Sequence, residues 1–321
     1  MHQPPKAAAA ALVIASGAVV ATQSRVNAQL AHYLGNDGVW GGALSLTIGL
    51  ATLLVFMAFS PSGRHSFAEL PGLVRSGQLK PWHLFGGISG AFYVALQGIV
   101  VPRTGVAPFT VASVAGQTAN STVVDRLGIA PGGKRPVTWQ RVVAAILATS
   151  AVGLAVFFRP TSHAAAWWLL LLPLLSGALM AVQQAFNSRV AVMSGSTLAA
   201  TLVNFIVAVG SLYFMAGVLH LLSHKAPHSP PGWSHLWLYS GGFMGAFAIF
   251  VGAMTVGTLG VLVFTLAQVV GLLSGAVLID IIFPTPGSHV GWNTVAAVVI
   301  TIGAMAMAAA GRSTPPITPG D

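Results

Sequence analysis

The sequence predicts an all-α membrane protein of ten transmembrane helices, built as two inverted-topology five-helix repeats with both termini cytoplasmic. Three observations lead there. Composition is the first: hydrophobic residues make up 55% of the 321-residue chain and charged residues only 6%, with a mean hydropathy of +0.80. A soluble domain carries roughly 25% charged residues. The second is an internal duplication, which decides architecture before local detail does. Residues 17–27 read GAVVATQSRVN and residues 177–187 read GALMAVQQAFN, so a shift of 160 lays Gly17 on Gly177, Gln23 on Gln183, Asn27 on Asn187 and Gly35 on Gly195. A shift of 155 carries GGISGAF (86–92) onto GGFMGAF (241–247), Gly105 onto Gly260, Phe109 onto Phe264 and Asp125 onto Asp280, and near the end of each half Trp139 matches Trp292. The third is the distribution of positive charge, taken up below.

Crossing the hydrocarbon core takes about 20 apolar residues. The first half offers 7–34, 39–60, 82–101, 105–125 and 138–158; the second offers 166–190, 197–221, 235–256, 259–280 and 291–310. The repeats therefore occupy 7–158 and 166–310, with a periplasmic linker at 159–165, a short tail at 1–6 and a Pro-rich disordered tail at 311–321. Turn signals separate the spans: GNDG at 35–38, PSGR at 61–64, PRTG at 102–105, PGGKRP at 131–136 and PTPG at 284–287. The N-terminus has a faint signal-peptide look, but its apolar run continues past Gln23 and is copied mid-chain, so it reads as a retained first helix. The connectors 61–81 and 222–234 are polar and too short for a soluble domain, and the linkers 102–104 and 256–258 force tight antiparallel hairpins.

Five spans per repeat is odd, so the second copy enters the membrane from the opposite side. On the N-terminal side fall Lys6, Arg64, Arg75, Lys80, Arg126, Lys134, Arg135, Arg141 and Arg312; the other side holds Arg103, Arg159 and Lys225. By the positive-inside rule the N-terminal side is cytoplasmic.

Several function classes fall away. The formal charge of +9 and pI near 10.9 are spread over short loops rather than gathered into a nucleic-acid-binding block. Without cysteine there is no disulfide or thiolate metal site. His220, His224 and His228 resemble a ligand ladder, but Pro227, Pro230 and Pro231 break its helical geometry. No nucleophile–base set or phosphate-binding loop appears, so neither an enzyme nor a cofactor is expected.

Gln23 and Asn27 lie one turn apart on one helical face, as do Gln183 and Asn187. A polar side chain in hydrocarbon needs a partner or water, so both faces are expected to point inward and, across the inverted axis, toward each other. Gln117, Asn120, Gln268 and Asn204 make the interior amide-rich. Arg25 and Arg189 either snorkel to the headgroups or face the cavity, where they would favour an anionic group. None of the five acids falls mid-span; Asp125 and Asp280 end matched helices and read as solvated interfacial carboxylates, with gating as the alternative. Gly86/Gly90, Gly241/Gly245 and Gly271/Gly275 have the spacing of helix-packing faces. The Ala-rich fifth and tenth spans are expected to face lipid or form a homodimer.

Each half also resembles the five-helix unit of the YdcZ-like branch of the drug/metabolite transporter superfamily. Gln23, Asn27, Gly35 and SLTIG (45–49) carry the resemblance in the first unit; Gln183, Asn187, Gly195 and NFIVA (204–208) carry it in the second. The resemblance implies a fused pair of units and a transport role, with export as its direction. Related small multidrug-resistance proteins carry a glutamate in the first helix; here Gln23 and Gln183 are the nearest polar residues. The expectation is a secondary transporter of a small metabolite or amphipathic compound, embedded in the bacterial inner membrane. A non-transporting membrane scaffold is the competing reading.

Overall fold

The computed structural model describes residues 4–35, 37–104, 106–157, 171–223, 229, 232–282 and 292–310. Among them eleven α-helices follow in order: α1 (Lys6–Tyr33), α2 (Gly38–Ala58), α3 (Pro61–Arg75), α4 (Gly86–Thr104), α5 (Val106–Leu127), α6 (Trp139–Phe157), α7 (Leu171–Ser194), α8 (Thr197–Ser223), α9 (Ser240–Leu259), α10 (Val261–Ile282) and α11 (Trp292–Ala310). Each predicted apolar segment is occupied by a helix whose ends move by a few residues. The expected linker 159–165 and tail 311–321 lie outside the described residues, as do His224 and His228. Among the described residues, four stretches are long and apolar enough to cross a membrane by length and composition: Lys6–Tyr33, Gly38–Ala58, Thr197–Leu222 and His235–Leu259.

Local chemistry sets the helix ends. Gly35 and Gly195, matched in the duplication, follow α1 and α7 with φ of 73° and 69°, a left-handed conformation that glycine adopts without strain. The Asp37 side chain caps α2 by accepting from the Trp40 N–H at 2.9 Å. The α9–α10 hairpin turns on Gly260 alone, at φ 79°. The linker predicted at 256–258 is thus still helical, and the turn is shorter than expected. The expected linker 102–104 likewise belongs to α4.

α3 corrects the reading of 61–81 as a simple polar connector. Ser60 caps it by accepting from the Gly63 N–H at 3.1 Å, and Pro61 opens it, where a missing N–H costs nothing. Phe67, Leu70 and Val74 recur at helical spacing and pack with Leu79, Val190, Ala191 and Ala253. Arg64, His65, Glu69 and Arg75 lie on its exposed face.

Each repeat's opening helix is held by the other repeat. α1 packs on α9 and α10, α7 packs on α5 and α4, and α6 pairs with α11. Glycines permit these approaches. A Cβ on Gly177 would collide with the Ser113 carbonyl of α5, and one on Gly116 with the Leu174 carbonyl of α7. At the matching crossing, a Cβ on Gly17 would strike the Gln268 carbonyl and one on Gly271 the Ile14 carbonyl. The packing role expected of Gly271 is therefore found, and Gly116, which sequence reading passed over, is its mate under the shift of 155. The buried faces of α6 and α11 (Ala144, Ala148, Ala304, Ala308) meet within the chain, while Trp139, Ile146, Trp292 and Val299 remain exposed.

Gly177→Ala is expected to force α5 and α7 apart, because backbone cannot yield as a side chain can; a loss of about 1–3 kcal/mol is the scale for overpacking. Gly210→Ala, where a Cβ would meet nothing within 4 Å, should be neutral. Thermal unfolding of the purified variants in detergent checks the contrast.

Candidate functional site

The four repeated amides do not meet across the bundle centre, which corrects the expectation from symmetry. α1 and α7 form no packed interface among the described residues. Each amide pair lies against the glycine pair of the opposite repeat. Gly86 and Gly90 of α4 cover Asn187 and Gln183: a Cβ at Gly86 would sit 2.9 Å from Asn187 Oδ1, and one at Gly90 would sit 3.2 Å from Gln183 Oε1. Gly241 and Gly245 of α9 cover Asn27 and Gln23 in the same way, with a Cβ at Gly245 2.6 Å from Gln23 Nε2. The glycine motifs and the amide motifs are two sides of one contact, made twice.

Each asparagine is anchored from the next helix of its own repeat. The Ser45 hydroxyl donates to Asn27 Oδ1 at 2.8 Å, and Asn204 Nδ2 donates to Asn187 Oδ1 at 3.0 Å. Ser45 and Asn204 open the SLTIG and NFIVA segments, so the pairing is itself repeated. The two copies differ in burial. Gln183 and Asn187 are 1% and 3% exposed, whereas Gln23 and Asn27 are only partly covered. Gln183 Oε1, Asn187 Nδ2, Gln184 Oε1 and the Ser188 hydroxyl are buried without a protein partner, a concentration uncommon in a folded interior.

The other candidates separate into roles. Asn120 Nδ2 donates to the Ala178 carbonyl at 2.7 Å and binds α5 to α7. Gln117 and Gln268 are each half-buried, on α5 and α10, and the Gln117 Nε2 is buried without a protein partner. Arg25 is half-buried on α1. Arg189 neither snorkels nor faces the amides: its Nη2 donates to the Gly128 carbonyl at 3.2 Å and its Nε to the Ile129 carbonyl at 3.3 Å.

Asp125 overturns the reading of a solvated carboxylate. It is 1% exposed, pairs with the buried Arg141, and accepts from the backbone N–H of Val261 at 2.8 Å and of Leu262 at 3.2 Å. The carboxylate thus sits on the N-terminus of α10, where the helix dipole is positive. Ten residues on, Arg135 Nη1 donates to the Leu259 carbonyl and Nη2 to the Gly257 carbonyl, each at 3.1 Å, at the negative C-terminus of α9. The last turn of α5 and the loop after it therefore grip the two helix termini at the α9–α10 turn with opposite charges. Burial lowers the Arg135 pKa, Asp125 raises it and Arg141 lowers it again; a guanidinium stays charged throughout. The sequence signal missed was the separation of Asp125, Arg135 and Arg141 by a Gly-rich turn, which lets all three converge. The backbone of Asp280 belongs to α10, and its side chain lies outside the described residues.

A family model described as "Putative inner membrane exporter, YdcZ" matches the chain twice, over residues 8–154 and 168–307. The chain belongs to the YdcZ family. The two matched segments are the two halves of the duplication, so this YdcZ member is a two-unit form. It is a multi-pass protein of the inner membrane, in a family of exporters. No curated protein matches it. Among solved structures, a crystal structure of a protein at 14% identity covers 96% of this chain and 98% of its own, with a TM-score of 0.66, which shows a shared fold.

Asp125→Ala should strand Arg141 and free two N–H groups at once. Removing one member of a buried ion pair costs about 3–5 kcal/mol, so detergent-solubilised protein should unfold well below the parent. Asp125→Asn, which still accepts a hydrogen bond, should fall between them.

Proposed function

We propose that this YdcZ member is a secondary transporter that exports a small polar or amphipathic compound by alternating access. In this reading ten spans form two inverted five-helix repeats, 7–158 and 166–310, with both termini cytoplasmic. The repeated contact of an amide pair on the other repeat's glycines carries the proposal. Scaffolding needs one such contact, whereas two half-pathways need one each. Small residues opposite polar ones also let helices part without leaving large side chains unpacked.

By the positive-inside assignment, the end that gathers Arg126, Lys134, Arg135 and Arg141 is cytoplasmic. Asn27 then lies about 9 Å from the outer end of α1, and Asn187 about 10 Å from the inner end of α7, taking 1.5 Å rise per residue. The amide pairs line successive stretches of one path, with Gln117, Gln268, Asn204 and Arg25 beside them. Such a path suits a neutral, zwitterionic or anionic solute. Desolvating a bare cation would call for a carboxylate at membrane depth, and Asp125 is already committed to Arg141 and α10.

Asn27→Leu and Asn187→Leu are each expected to abolish efflux while the protein stays folded in the membrane; normal efflux by both would reduce the motif to helix packing. Reporter fusions after Lys80 and at the C-terminus should both report cytoplasm. In binding assays a carboxylate should outcompete a quaternary amine of similar size. A preference for the amine that persists in Arg25→Gln would overturn the charge assignment.

A further inference from the structure

The duplicated halves should pack alike, and at one contact they do not. α7 packs on α9 within the second repeat, whereas their mates α1 and α4 form no packed interface among the described residues. The side chains at this contact differ accordingly. Gln184 is buried, its Oε1 pressed where a Cβ on Gly252 would stand, and Val190 meets Ala253 nearby. The shift of 160 carries Gln184 onto Ser24, which is exposed, its hydroxyl turned back to the Val20 carbonyl of its own helix. Ser24 is about 60° round α1 from Asn27, on the α9 side, and about 20° from Gly17, on the α10 side. It therefore points between two packed neighbours, into the bundle, and is exposed there.

The closed contact has a strap. Residues 128–135 accept from Arg189 of α7 through the Gly128 and Ile129 carbonyls and reach the C-terminus of α9 through Arg135, while Asp125 at their base fixes the start of α10 and Arg141 of α6. α7 and α9 are thereby tied to one loop at the end where they meet. The duplication does not supply the same strap at the other end. Asp125 maps onto Asp280, but Arg135 maps onto Val290, Arg189 onto Gln29 and, by the Trp139–Trp292 match, Arg141 onto Thr294. Gly252, which makes room for Gln184, maps onto Gln97.

We infer that this structure is the state closed at the cytoplasmic end and open at the outer end, and that the strap of Asp125, Arg135, Arg141 and Arg189 is a one-sided lock that makes it the resting state. The lock rests on the transporter reading above, and it adds an asymmetry that inverted repeats alone do not provide. A solute entering the α7 amides from the cytoplasm must break the strap's hydrogen bonds, and the matched positions of the sequence carry no arginines to build the same strap for closure at the outer end. Gln183, Gln184, Asn187 and Ser188 are polar groups that gain partners when that end opens.

The chain contains no cysteine, so single reporters can be placed in the full-length protein without other changes. Ser24→Cys and Ser188→Cys, the latter fully buried on α7, would be reacted with a small hydrophilic maleimide in nanodiscs. Ser24→Cys should label quickly and Ser188→Cys slowly. Adding Arg189→Gln or Arg135→Gln should raise the Ser188→Cys rate by about tenfold, the population shift expected when charge-assisted hydrogen bonds are lost from one of two states, and should slow Ser24→Cys. Equal labelling of the two reporters in the parent would overturn the inference. So would unchanged rates in both arginine variants, provided these still elute as folded protein. Labelling needs no substrate, so the lock can fail while efflux and its loss in Asn27→Leu stand, and the transporter reading can fail while the labelling asymmetry remains.

Discussion

A polar side chain in an apolar bundle has to be covered by something that does not compete with it for space. Here the cover is glycine. Gln23 and Asn27 lie under Gly245 and Gly241, and Gln183 and Asn187 lie under Gly90 and Gly86. Backbone reaches the amides where any Cβ would crowd them. Because the covering glycines belong to the opposite repeat, this contact dictates that the halves interlock. α1 must cross to α9 and α7 to α4, and the close crossings at Gly17/Gly271 and Gly116/Gly177 follow from that exchange.

The exchange places the charged chemistry. Helices α9 and α10 meet at a single residue, Gly260, so the C-terminus of one and the N-terminus of the other lie side by side, with unsatisfied carbonyls beside unsatisfied N–H groups. The last turn of α5 and the loop after it answer both, with Arg135 on the carbonyls and Asp125 on the N–H groups. A carboxylate so used is unavailable as an ion-coupling group in mid-membrane. Its burial depends on Arg141, since an isolated charge in such a place would be strongly disfavoured.

Duplication makes the departures from symmetry informative. Ser45 and Asn204 anchor matched asparagines with different chemistry and equal geometry, so a substitution there left the contact intact. Ser24 and Gln184 are matched in position and opposite in environment, because one helix pair is closed and the other is apart. Under the alternating access proposed above, only the second kind of difference belongs to conformation, since it involves helices that would move relative to one another.

The sequence by itself determined the apolar helices, their ends to within a few residues, and the duplication with its repeated amide pairs. These depend on hydrophobic run length, turn chemistry and internal comparison, all of which are local or self-referential. It also marked Gly86/Gly90 and Gln183/Asn187 as motifs, but not that one lies on the other, because a motif carries no record of its partner. α3 was written in its Ser-Pro cap and the spacing of Phe67, Leu70 and Val74, and was hidden by its polar composition. Only the tertiary structure decided that the amide pairs face glycines rather than each other, that Arg189 is taken up by loop carbonyls, and that Asp125 is buried. Each of these depends on which distant helix end arrives nearby, and the swapped packing of the two repeats determines that.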